Sequence, residues 1–220
     1  MCQGFHGAGE DYHRIFLYLY PNMSILTAIE HHVVSMLTKG LSTSLSYHDV
    51  NHTLDVTAQC RVIAHAEKIN DPQSLAELEI ASLYHDTGFL YVYENHEEKG
   101  CDLAREQLPA FGVSPEAIEN ICALIMATKV PQTPRNELQK IICDADLDYL
   151  GRDDFFETGE RLRQELMSYK FIKDDQDWED RQLSFLKTHQ YFTRTCRDKR
   201  SREKLKFIRQ LESLSNPATK

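Results

Sequence analysis

The stretch IASLYHDTGFLY, residues 80–91, is apolar or small almost throughout, apart from His85 and Asp86. Such a run predicts a buried helix. Burying even a neutral polar group without a partner costs on the order of 2–7 kcal/mol, so His85 and Asp86 need compensation from elsewhere in the chain. Adjacent helical residues point about 100° apart, so the two side chains cannot lie on one face, but they can converge on a small ion between them. A capping or ion pair at a helix end near Gly88 is the alternative.

The flanking sequence repeats the helical pattern. Ile25, Ala28, Ile29, Val33 and Met36 lie at helical spacing and predict a first helix over 24–38, ended by Gly40. A stripe of Leu54, Ala58, Val62, Ala66 and Ile69 predicts a second over 49–69. Pro72 opens a third that runs into His85. Further helices are predicted over 94–108, 115–125 (behind Ser114), 136–150, 153–169, 178–191 and 193–214. No alternating strand pattern, internal repeat or low-complexity segment interrupts them. The fold class is therefore all-α, in one domain. Residues 1–22 hold three of the nine glycines and no clean period, so they are expected to be an irregular extension, with Met23 a candidate natural start. The domain is assigned to 23–220.

Composition narrows the function. With 41% hydrophobic and 27% charged residues over 220 positions, the chain is of ordinary globular type. A net charge of −9 argues against a nucleic-acid partner, although residues 194–209 carry eight Lys/Arg against two Asp/Glu. That run reads as a solvated helix face. The six cysteines form no CxxC, and Cys60, Cys122 and Cys143 sit within apolar patterns, which predicts reduced thiols and a cytoplasmic protein. No stretch approaches the roughly 18 apolar residues that span a bilayer, so no membrane partner is expected.

Other histidines and acids fall where core is expected. His48 and His52, in YHDVNH, are one turn apart on one helix face. His96 lies in ENHEEKG, and CDADLDYLG holds Asp144, Asp146 and Asp148. Asp146 borders the apolar face of its helix, Asp144 is ambiguous, and Asp148 is expected to face solvent. Lysines and arginines that would neutralise these acids are missing from the apolar faces. A divalent cation supplies the charge, and mixed imidazole and carboxylate ligands suit Mn, Fe, Co, Ni or Zn. His31, His32, His65 and His189 read as packing or surface residues. Trp178, Phe155, Phe156, Phe185, Tyr191 and Phe192 read as a packing seam between C-terminal helices.

The order YHxxxH, then HD, then DADLxxLG resembles the HD-domain superfamily of metal-dependent phosphohydrolases, over 47–151. NHEEKGCDLAREQL and LIMATK resemble a little-characterised subgroup of predicted HD hydrolases. The resemblance implies an HD-type helical bundle with a motif core at 47–151 and C-terminal helices at 152–215. It implies one or two divalent metal ions (Mn, Fe, Co, Ni, Zn or Mg) held by His52, His85, Asp86 and Asp146, with His96 where two-metal members place a further His. Asp146 is preferred to Asp144 from the family pattern. His48 matches a residue that protonates the leaving oxygen, and Asp86 would orient the attacking water. Thr128 and Lys129 stand where two-metal members carry another His, which weakens a full second site. Lys99, Lys129 and Arg152 are candidate phosphate-binding residues. The implied activity is hydrolysis of a phosphoester or phosphoanhydride of a small molecule, a nucleotide or related metabolite. Rival readings are a di-iron oxygenase on the same scaffold and a non-catalytic metal-containing ligand-binding module. A homo-oligomer is compatible with the sequence.

Overall fold

The computed structural model describes residues 24–215, so the expectations for residues 1–22 and for Met23 lie outside the described residues. Among the described residues the chain is all-helical. In chain order the helices are α1 (Ile25–Gly40), α2 (Val50–Ala66), α3 (Pro72–Tyr84), α4 (His96–Gln107), α5 (Pro115–Ile125), α6 (Glu137–Asp146), α7 (Phe155–Ser168), α8 (Asp175–Thr188) and α9 (Arg194–Ser215). Tight 3-10 turns lie at Thr87–Leu90, Leu108–Phe111, Met126–Thr128 and Asp148–Gly151.

Side-chain caps set where several helices begin. Ser24, Asp49, Asp71, Ser114, Asn136 and Asp174 each accept from a backbone N–H three residues on. The Asp49 cap is the one that bears on chemistry. Its carboxylate accepts from the His52 N–H at 2.9 Å and fixes the first turn of α2.

The buried stripes pack α2 against α3 and α6, α3 also against α5, and α4 against α5. Fully buried Ile29, Leu78, Leu83, Ile121, Ile125, Ile141 and Ile142 fill the spaces between them. Helix α9 lies across α8 and the Asp148–Gly151 turn. No helix among the described residues is long and apolar enough to cross a membrane.

Three expectations are corrected. The run over 80–91 is not one helix, because α3 stops at Tyr84. The His85 ring Nδ1 donates to the Ser82 carbonyl at 2.7 Å, and the Thr87 hydroxyl donates to the Tyr84 carbonyl at 2.8 Å. These side chains occupy carbonyls that a continuing helix would have used. Asp148 does not face solvent. It is 2% exposed, and the Arg200 guanidinium grips both its oxygens at 2.8 and 2.9 Å. The eighth helix also starts earlier than its apolar pattern suggests, at Asp175, because Asp174 caps it.

Candidate metal centre

The break after α3 creates the site. His85 keeps helical backbone angles, but Asp86 moves to φ −106°, ψ 5°, in the sparsely populated bridge region. This turn brings the two side chains to one point. Asp86 Oδ2 lies 3.2 Å from His85 Nε2 and 3.3 Å from His52 Nε2. Asp146, the last residue of α6, places Oδ1 3.3 Å from His52 Nε2 and 3.6 Å from His85 Nε2. The two imidazole Nε2 atoms are 3.3 Å apart. His52, His85 and Asp146 together form a buried group whose ligand-type atoms all lie within 4.8 Å of one another, of the kind that holds a metal ion.

The three acids of CDADLDYLG separate by role. Asp146 turns toward the histidines. Asp144 is fully buried and accepts from the backbone N–H groups of Phe192 and Thr193 at 2.8 and 2.7 Å, and from the Thr193 hydroxyl at 2.6 Å. Asp144 and Asp148 thus tie the start of α9 to the core, and Asp146 alone of the three is left for the site.

The ring nitrogens are sorted by their acceptors. His85 Nδ1 faces the Ser82 carbonyl, and His96 Nδ1 faces the Tyr93 carbonyl at 2.9 Å. Each Nδ1 must therefore carry a proton, which leaves each Nε2 lone pair turned to the carboxylates. His96 Nε2 lies 3.5 Å from Asp86 Oδ1, the oxygen not shared with His85. Gly88 permits this approach. A Cβ there would sit 1.9 Å from the His96 carbonyl oxygen.

Electrostatics follow from the crowding. Burial lowers the His52 pKa, but the nearby carboxylates of Asp146 and Asp86 reverse this and raise it to about 9. Burial also works against the Asp146 carboxylate, yet His52 and His85 bring its pKa down to about 2.

His48 stands beside this group and is oriented by a residue that the sequence reading missed. Glu165 of α7 is fully buried, and its Oε1 lies 2.5 Å from His48 Nδ1. The same oxygen accepts from the Tyr93 hydroxyl at 2.8 Å, and Oε2 accepts the backbone N–H groups of Tyr47 and His48 at 2.9 and 3.0 Å. Burial raises the Glu165 pKa, but its hydrogen bond with His48 and the latter's charge leave it below the usual carboxylate range. One signal was available. Glu165 occupies a position on the stripe Leu162, Glu165, Leu166, Tyr169, where an apolar residue belongs. Phe89 stacks between the rings of His48 and His96, with centroids at 4.2 and 3.9 Å.

A cleft of about 740 Å³ opens from the site. His48, Asp86, His96 and Asp146 line it at one end, and Leu162, Leu166, Phe171, Trp178, Gln182 and Phe185 wall it elsewhere. Trp178 and Phe185 therefore face a cavity as well as packing between helices. Of the three candidate phosphate-binding residues, Lys129 lines this cleft and is held by Glu98 and by Asn95 Oδ1. Arg152 lines a smaller cavity, together with His52, and is bound by Asp55 and Asp154. Lys99 lines neither and lies over the Tyr91 ring.

A family model described as the HD domain matches residues 49–148, which run from the cap of α2 to the acid after Asp146. Residues 49–148 are an HD domain. Solved structures share its fold. A predicted HD superfamily hydrolase from an uncultured Thermotogales bacterium aligns with 90% of this chain and 98% of its own, at 20% identity and a TM-score of 0.55. Bacillus subtilis YpgQ, determined in complex with ADP, covers 86% of this chain and 94% of its own, at 23% identity and a TM-score of 0.58. A Lactobacillus plantarum protein covers 88% and 97%, at 18% identity and a TM-score of 0.60. No protein of curated function matches the sequence. The HD match ends before Glu165, so the residue that orients His48 lies outside it, in the C-terminal helices.

Proposed function

We propose that this HD domain is a metal-dependent phosphohydrolase that cleaves a phosphoester or phosphoanhydride of a small molecule, a nucleotide or a related metabolite. One observation carries the metal. Asp86 Oδ2 is buried with no hydrogen-bond partner among the described residues, yet two imidazole nitrogens and a second carboxylate surround it. An orphaned anionic oxygen in that company fits a cation. His52, His85, Asp86 and Asp146 would hold the ion, and His96 with the other Asp86 oxygen would serve a second. When bound, a divalent ion polarises a phosphoryl oxygen and acidifies water, whose pKa falls from 15.7 toward about 7 in the most favourable cases.

The protein's own residues do the rest. Glu165 occupies Nδ1 of His48, so Nε2 is the nitrogen from which a proton can reach the leaving oxygen. Phe89 and Tyr47, packed on the His48 ring, hold its plane. Asp86 accepts from, and so orients, the attacking water. The cleft lies within the roughly 300–1,000 Å³ usual for small-molecule sites, and its apolar far wall suits a base or similar flat group. The ADP complex of YpgQ, on the same fold, supports a nucleotide. Helix α7 supplies both Glu165 and part of the cleft wall, which favours treating 23–220 as one domain.

Elemental analysis of purified wild type and of the His85→Ala, Asp86→Ala double variant tests the site. It is paired with hydrolysis of a nucleotide and phosphate-ester panel under Mn, Mg, Co and Ni in turn. Loss of metal and of turnover together is expected. Equal metal content in both proteins refutes the ligand assignment.

A further inference from the structure

A second cavity, of about 140 Å³, meets the metal group at His52 and Asp146 and is also lined by Tyr47, Tyr149, Arg152 and Arg161. Its tyrosines are unusual within this molecule. Tyr47 and Tyr149 are 4% and 7% exposed, and neither phenolic oxygen has a hydrogen bond among the described residues. The other buried tyrosines are satisfied. The Tyr84 hydroxyl donates to Gln107 at 3.0 Å, and Tyr191 reaches the carbonyls of Leu147 and Asp148 at 3.4 Å. Both tyrosines line the cavity, so their hydroxyls are open to whatever enters it and can donate to an acceptor there.

The charges around them specify its sign. Arg161 Nε is buried with no partner, and its terminal nitrogen reaches only the Thr158 hydroxyl, at 3.4 Å. Asp55, the remaining carboxylate on this wall, is taken up by two hydrogen bonds from Arg152. Apart from Asp146, Asn51 and Thr158, the groups left over are two hydroxyls and the Arg161 guanidinium, all able to donate. A tetrahedral oxyanion matches that set, since a guanidinium presents parallel N–H groups to phosphate oxygens. The size agrees. At about 30 Å³ per water, the cavity has room for a phosphate-sized anion and not for a nucleoside.

We propose that this cavity is a phosphoryl-binding subsite, in which Tyr47, Tyr149 and Arg161 take the non-bridging oxygens of a phosphate lying against the His52 and Asp146 edge. The assignment rests on the phosphohydrolase reading for its biological use, and its ligand can be tested apart from turnover. The organic part of a substrate would extend into the larger cleft, which shares Tyr47, Tyr149 and Asp146 with this cavity.

The test is calorimetric titration of Mn-loaded protein with inorganic orthophosphate, for wild type, Tyr149→Phe, Tyr47→Phe and Arg161→Gln. Metal content and Tm are measured on each sample. Wild type is expected to bind orthophosphate, and each variant to bind it at least fivefold more weakly with unchanged metal content. The Tyr→Phe variants should keep or raise the phosphate-free Tm, because the deleted hydroxyls have no partner in the fold. If Arg161→Gln fails to fold, the two Tyr→Phe variants decide. Orthophosphate affinity within twofold of wild type in those variants overturns the proposal, as does a metal-loaded wild type that binds no orthophosphate. Phosphate binding lost in the variants, beside a wild type inert on every ester tested, supports the subsite and refutes the hydrolase reading.

Discussion

Glu165→Gln changes no volume and removes one charge, so it isolates what the buried carboxylate does. Glu165 accepts four hydrogen bonds, two on each oxygen. A glutamine has one carbonyl oxygen. If that oxygen keeps the backbone N–H groups of Tyr47 and His48, the amide NH₂ faces His48 Nδ1 and the Tyr93 hydroxyl. The hydroxyl can turn and accept, but the neutral imidazole can accept only with its proton on Nε2. Charge-assisted bonds contribute about 1.5–3 kcal/mol each and neutral ones about 1, so at the lower part of that difference, about 0.5–1 kcal/mol per bond, four weakened bonds cost on the order of 2–4 kcal/mol. At about 2–4 °C per kcal/mol for a chain of this size, Tm should fall by roughly 5–15 °C. The tautomer change places the Nε2 proton on a neutral ring, a poor acid, and kcat should drop by about 10–100-fold, as for other orienting partners of site histidines. Metal content should not change. The pH dependence has a definite sign. The folded Glu165 pKa lies below its ordinary value. Its stabilisation is therefore complete above the unfolded pKa of about 4.3 and is lost as pH falls through the folded value. The Tm gap between wild type and Glu165→Gln should accordingly narrow as pH falls below the unfolded pKa and close only once pH lies under the folded value. A gap under 1 °C at pH 7, with kcat within about twofold of wild type, refutes the reasoning; both thresholds lie well under the estimates above.

Asp144→Ala should cost about 2–4 kcal/mol through its three lost hydrogen bonds, with metal content unchanged, whereas Asp146→Ala should lose the metal. Thermal melts and elemental analysis of the pair separate the two aspartates. Gly88→Ala forces a Cβ against the His96 carbonyl oxygen and should destabilise by about 1–3 kcal/mol while weakening any second ion before the first, read by melting and by metal stoichiometry. Trp178→Ala should raise KM for a nucleotide substrate about tenfold, a loss of about 1–3 kcal/mol of stacking, and leave metal content intact. Unchanged KM would remove Trp178 from the substrate wall.

Much of the helical order was legible in the chain because it is local. Ser114 with Pro115, and Asp71 with Pro72, mark helix starts through groups one turn away, and the stripe of Ala28, Ile29 and Val33 marks a buried face whatever covers it, although Ile25, on the same predicted stripe, is exposed. The convergence of His52, His85, Asp86 and Asp146 was expected from the order of the motifs, not from periodicity. Periodicity misplaced two features. It ran a helix through His85, because hydropathy does not register the His85 and Thr87 side chains competing for the Ser82 and Tyr84 carbonyls. It put Asp148 in water, because the arginine that binds it lies 52 residues on, in α9.

The sequence by itself determined the helices, their caps and which polar residues had to be reconciled with a core, since each depends on contacts within a turn or two. Only the tertiary structure decided that Asp144 turns away from the histidines, that Glu165 holds His48, and that Tyr47, Tyr149 and Arg161 share one cavity. Those outcomes depend on the meeting of faces from α2, α6, α7 and α9. A buried polar group's fate is set by the partner across the interface, and no local pattern encodes that partner.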